Sequence, residues 1–222
     1  MAQGFLKTLK DHHAPPAFGE ALICGVLHWP LRPQVAIAWL GDWDGDAAMR
    51  KSGAMSEPTT PLPGAKAFAE DERSVLLGYL TYHRTVLARK AEGVSDGQAR
   101  RAASPPSTLT LLGLIRHMTD VERWWFRLVQ LAEDVPALFD DDEEWHPPDD
   151  ATIAEALAAY WDEIAVIDRY LSTASMDETN NGEPGPGRHT LRRTIVHMIE
   201  EYARHCGHAD LLREAIDGTT GD

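Results

Sequence analysis

Only two cysteines, Cys24 and Cys206, occur in the 222 residues, far apart and in no Cys-x-x-Cys pair. That excludes a disulfide scaffold and a zinc knuckle, and it suits a reducing cytoplasm. Basic residues are scarce as well: Lys and Arg number 21 against 35 Asp and Glu, a formal net charge of -14. A duplex nucleic-acid binder needs a basic footprint and an anionic lipid surface attracts one, so neither partner is expected. A metal, or a small anion gathered by local arginines, stays open. Long apolar runs are missing too. The one candidate, 21–40, is divided by Pro30, Arg32 and Pro33 into pieces too short to span a bilayer. With Asp11 and Glu20 ahead of it and no small-x-small cleavage site behind, it does not read as an export signal. The expectation is a cytoplasmic protein without membrane attachment.

What is present is helical periodicity, and it begins late. Residues 1–54 hold no period for more than a turn or two, and their formal charges cancel. They read as a poorly ordered extension or an over-translated upstream segment, with Met55 as the natural start; a small subdomain is the alternative. From Phe68 to Ala91 the apolar positions recur near the helical period, and Gly93 supplies a stop. Ser95 and Gln98 form a capping box before Pro105 and Pro106 break the chain. Ser107 is placed as the N-cap of a second long helix reaching about Ala132. The acidic, Pro-bearing segment 133–150 reads as a solvated loop. Thr152 and Glu155 open a third helix with another capping box. After a Gly- and Pro-rich loop, a fourth runs from near Thr190 to Asp217, with Gly218 beyond it. No repeat and no strand-type alternation interrupt this order. The prediction is an all-α four-helix bundle over 64–219, preceded by an irregular N-terminal extension.

The fourth helix concentrates the chemistry. At about 100° per residue, Glu201, His205 and His208 share an arc of about 60°, which His197 widens by about 20°. An apolar stripe including Ile195, Met198, Tyr202 and Ala209 borders that arc, so the polar groups face the edge of a core. Buried imidazoles and carboxylates need partners. A metal ion is one answer and a hydrogen-bonded network is the other.

On the second helix His117 shares a face with Leu114, Val121, Trp124 and Leu128. It is either a bonded core histidine or the ligand that the fourth helix lacks. Two imidazoles and one carboxylate would leave open coordination positions, as catalytic zinc and non-haem Fe(II) sites do. A dinuclear carboxylate centre would need two Glu-x-x-His motifs, which are absent. Cys206 adjoins His205, but neighbours on a helix diverge by about 100°, so the pair does not make a nucleophile and base.

The stretch SPPSTLTLLGLIRHMTDVERWWF, followed by LRRTIVHMIEEYARHCGHADLLREAIDG, resembles the DinB-like superfamily and, within it, the mini-circle subgroup. The resemblance implies an up-down-down-up bundle holding a divalent metal by three residues, which here fall on His117, Glu201 and His205. His208 and His197 take supporting or substitute places. Many relatives use three histidines; the related mycothiol-dependent maleylpyruvate isomerase uses His, Glu and His. Zinc is the first expectation for the metal, with nickel, manganese and iron as alternatives. The resemblance further implies a transferase or isomerase that brings a low-molecular-weight thiol, mycothiol or bacillithiol, to an electrophilic substrate, and it is compatible with a homodimer. It names no catalytic residue beyond the ligands. The rival expectations are a non-catalytic metal-stabilised stress or ligand-binding bundle and a metal-water hydrolase or Fe(II) oxygenase on the same triad.

Overall fold

The computed structural model describes residues 71–140 and 142–221, all within the compact unit Pro58–Asp222. The expected extension, 1–54, lies outside the described residues. Four long helices and one short one form, each opened by a side chain that accepts an otherwise unsatisfied backbone N–H. Asp71 caps α1, Glu72–Ala91. Ser95 caps the short α2, Asp96–Ala99, through the expected box with Gln98. Thr110 caps α3, Leu111–Glu122, and Thr152 caps α4, Ile153–Leu171, through its box with Glu155. Thr190 caps α5, Leu191–Asp217, which closes on Gly218 at φ 81, a left-handed conformation that glycine adopts without strain.

Two boundaries differ from expectation. Ser107 is not the cap of α3: its hydroxyl accepts from Leu109 N at 3.2 Å, which serves the linker, and Thr110 accepts from Gly113 N at 3.0 Å. Beyond Glu122 the helix widens into a π-helical segment, Arg123–Gln130, in which consecutive Trp124, Trp125 and Phe126 are all buried. Ala132 then turns the chain back at φ 53.

Cross-helix contacts fix the directions. Along α1 and α5, Glu72 meets Arg192 at 2.8 Å, His83 O meets Cys206 Sγ at 3.6 Å and Lys90 O meets Arg213 at 2.8 Å, so the two run parallel. Against α5, α3 runs the other way, since Glu122 pairs with Tyr202 at 2.7 Å and Gln130 with Thr194 at 3.0 Å. Arg73, at the start of α1, donates to Ala174 O beyond the end of α4 at 2.7 Å. Asp96, just past α1, accepts from Ile153 N at the start of α4 at 2.9 Å. The bundle is therefore up-down-down-up, and there is no strand among the described residues, only a lone bridge between Thr179 and Thr190. None of the described helices is long and apolar enough to cross a membrane.

Leu80, Leu112, Leu114, Met118, Ile195 and Met198 are among the side chains fully removed from water, each contributing roughly 1.5–3 kcal/mol. Through the middle of this core passes an ion pair. Arg84 is 1 % exposed and grips Glu122 with two bonds of 2.6 Å, and Tyr202 donates to the same carboxylate.

Because α3 and α4 are parallel, the segment joining them must travel back along the bundle. It does so as a strap lying on α3. Arg123 donates to Pro136 O at 3.2 Å, and Asp120 accepts from Leu138 N at 3.0 Å. Arg116 donates to the carbonyls of Glu143 at 3.0 Å and Glu144 at 3.3 Å, and its guanidinium sits 4.0 Å over the Phe139 ring. The segment expected as a solvated loop is thus held down by one face of α3.

Candidate metal centre

Glu201 and His205, one turn apart on α5, are 7 % and 8 % exposed. Glu201 Oε2 lies 3.7 Å from His205 Nε2. On the other side of the same ring, His205 Nδ1 is 3.3 Å from His208 Nδ1. His197 places Nε2 3.6 Å from Glu201 Oε1 and its ring 4.3 Å from Trp125. Arg204, at the rim, lies 3.3 Å from both oxygens of Glu201.

His117 approaches from α3, its ring centroid 5.0 Å from that of His205. The antiparallel register that pairs Glu122 with Tyr202 is what sets these two histidines opposite each other. The structure thus brings His117, Glu201 and His205 to one place, with His208 and His197 beside them.

Two residues were missed by the sequence reading, and both belong to the strap. Trp145 stacks on His117 with centroids 4.5 Å apart and planes 29° from parallel. Glu144, 7 % exposed, sets Oε1 3.7 Å from His117 Nδ1. Burial pushes the Glu144 carboxyl up, but the imidazole of His117, its own backbone and Arg116 outweigh that and hold it below the usual carboxylate range. The available signal was Trp145, an aromatic residue inside an acidic run, which a purely solvated loop has no use for.

Gly113, one turn before His117, makes this seat possible. A Cβ there would come 3.2 Å from Trp145 and 3.5 Å from Glu144 O.

The donor set suits a divalent cation in kind: two imidazoles and a carboxylate. Ligands each about 2.1 Å from one ion stand about 3.4 Å apart at a tetrahedral angle, a few tenths less than the 3.7 Å between Glu201 and His205. Among the described residues, however, no three His, Cys, Asp or Glu are drawn together tightly enough to hold an ion as they stand. Binding one calls for side-chain adjustment. Cys206 is no part of this group: burial, and then Asp210, pushes its thiol up to about 12, which leaves it a packing residue.

The up-down-down-up bundle, with histidines facing each other across α3 and α5, defines a DinB-like protein. Residues 75–218 match the mycothiol-S-transferase family, and the chain belongs to that family. No curated protein matches it.

Proposed function

We propose that this protein joins a low-molecular-weight thiol of the mycothiol type to an electrophilic carbon, at a divalent cation held by His117, Glu201 and His205. The observation that supports this reading most is the meeting of His117 with the Glu201 and His205 pair inside the segment that matches a thiol-transferase family. The family name favours mycothiol over bacillithiol, and an imidazole-rich donor set with one carboxylate favours zinc.

The reaction breaks the S–H bond and forms one S–C bond, while the electrophilic carbon gives up one bond of its own: a leaving group departs with the electron pair, or a π bond opens and its electrons take up the proton. A divalent cation would supply the lowered thiol pKa and the stabilised thiolate that such an attack requires. The chain's own residues supply the rest. Glu201 brings the negative charge that balances a cation, and Arg204 at the rim holds that carboxylate from the solvent side. Trp145 covers the open face of His117 and keeps water from it, which strengthens every charge interaction within.

Elemental analysis of the purified protein tests the ligand set. Wild type should carry one divalent ion per chain, and His117→Ala, Glu201→Ala and His205→Ala should each lose it, whereas His83→Ala and His146→Ala should keep it. Metal retained in Glu201→Ala but lost in His208→Ala would show that the third ligand is His208.

A further inference from the structure

We infer that Glu144 is a positioning residue for His117: carried onto α3 by the strap, its carboxylate draws the proton of the neutral imidazole onto Nδ1 and leaves the Nε2 lone pair to the site. Its described neighbours in the acidic run, Asp140, Asp142 and Glu143, are exposed, so solvation does not explain why this member is buried. A buried carboxylate and a buried ring nitrogen each cost free energy unless they find a partner. Here each faces the other. Glu144 Oε1 is 3.7 Å from His117 Nδ1, and that nitrogen has no other partner. A shift of about 0.8–1 Å turns the contact into a charge-assisted hydrogen bond.

The rest of the strap restricts the ring to this orientation. Trp145 fixes its plane by stacking, Arg116 holds the backbone of Glu143 and Glu144, and Gly113 leaves the room in which Trp145 sits. His205 is placed comparably. Its Nδ1 is engaged by His208 and its Nε2 faces Glu201. With Nδ1 of His117 turned to the strap, both imidazoles offer Nε2 to the space they share. A neutral imidazole free in water prefers its proton on Nε2, so the preference that Glu144 imposes is the reverse of the solution one and can be measured.

The tautomer rests on geometry alone; its consequence for cation binding rests on the function proposed above. The test is nitrogen NMR on the metal-free full chain with labelled imidazoles, at a pH above the range where histidine is protonated. Wild type should show His117 with its proton on Nδ1. Glu144→Gln, which keeps an acceptor oxygen, should retain that tautomer, and Glu144→Ala should move the proton to Nε2. Gly113→Val, which crowds Trp145 and the backbone of Glu144 but keeps the Glu144 carboxylate in the chain, should act like Glu144→Ala. Zinc affinity should then fall by about 10- to 100-fold in Glu144→Ala and far less in Glu144→Gln, as loss of a ligand's supporting hydrogen bond does elsewhere. A wild-type proton on Nε2, or one that stays on Nδ1 in both Glu144→Ala and Gly113→Val, overturns the inference. Wild type that binds no zinc overturns the proposed function instead, and the tautomer result still decides the role of Glu144.

Discussion

Asp120 and Arg84 show what single side chains cost this bundle. Asp120 is 5 % exposed; burial pushes its carboxyl up, and the N–H of Leu138 only partly opposes this. A carboxyl whose folded pKa lies above its unfolded one contributes stability below the unfolded value and loses it as pH rises through the folded one. Asp120→Asn keeps an acceptor for Leu138 without the buried charge. Melting temperatures taken from acid to neutral pH should therefore show the variant gaining on wild type as pH rises. A variant that loses ground on that path would contradict the assignment. Arg84 makes the opposite case, because its charge is matched. Arg84→Met leaves Glu122 charged and uncompensated in the core and should cost about 3–5 kcal/mol in chemical denaturation, whereas Arg84→Met with Glu122→Leu should recover most of it. Neither residue's role was readable from the sequence. Their partners lie 18 and 38 positions away, while the pattern that pointed to Glu201 and His205 spans only four positions.

Helix ends were the readable part of the architecture. Ser95 with Gln98, and Thr152 with Glu155, each carry their signal within three residues, and capping is a local hydrogen bond. Thr110 was passed over for Ser107 because both are followed by apolar residues and only the tertiary course of the linker chooses between them. The strap escaped notice for a related reason. Parallel α3 and α4 force 131–152 along the bundle, and parallelism is not a property of either helix alone. Where the strap begins, Ala132 occupies the left-handed region at φ 53, which costs an L-residue roughly 1–2 kcal/mol. Ala132→Gly removes that strain and introduces some backbone entropy, so it should stabilise the protein by about 1 kcal/mol in denaturant unfolding. An unchanged or lowered midpoint would place the strain elsewhere.

The four helices, their order and their up-down-down-up course follow from periodicity together with the resemblance carried by the second and fourth helices. The proposed ligand triad comes from that same resemblance, laid on spacings the residues already suggested. The second wall of the site did not, since Glu144 and Trp145 lie 27 and 28 positions beyond His117 and reach it only once the strap has folded over α3. Family membership and donor geometry together lead to one claim, a thiol transfer that depends on a bound cation. The measurement that addresses it most directly is the rate at which the purified protein couples mycothiol to an electrophilic substrate before chelation, after chelation, and after one equivalent of zinc is returned. Activity should vanish with the chelator and return with zinc in wild type, and should not return in His117→Ala or His205→Ala. Transfer that continues unchanged in the chelated protein, or in those variants, would contradict the account.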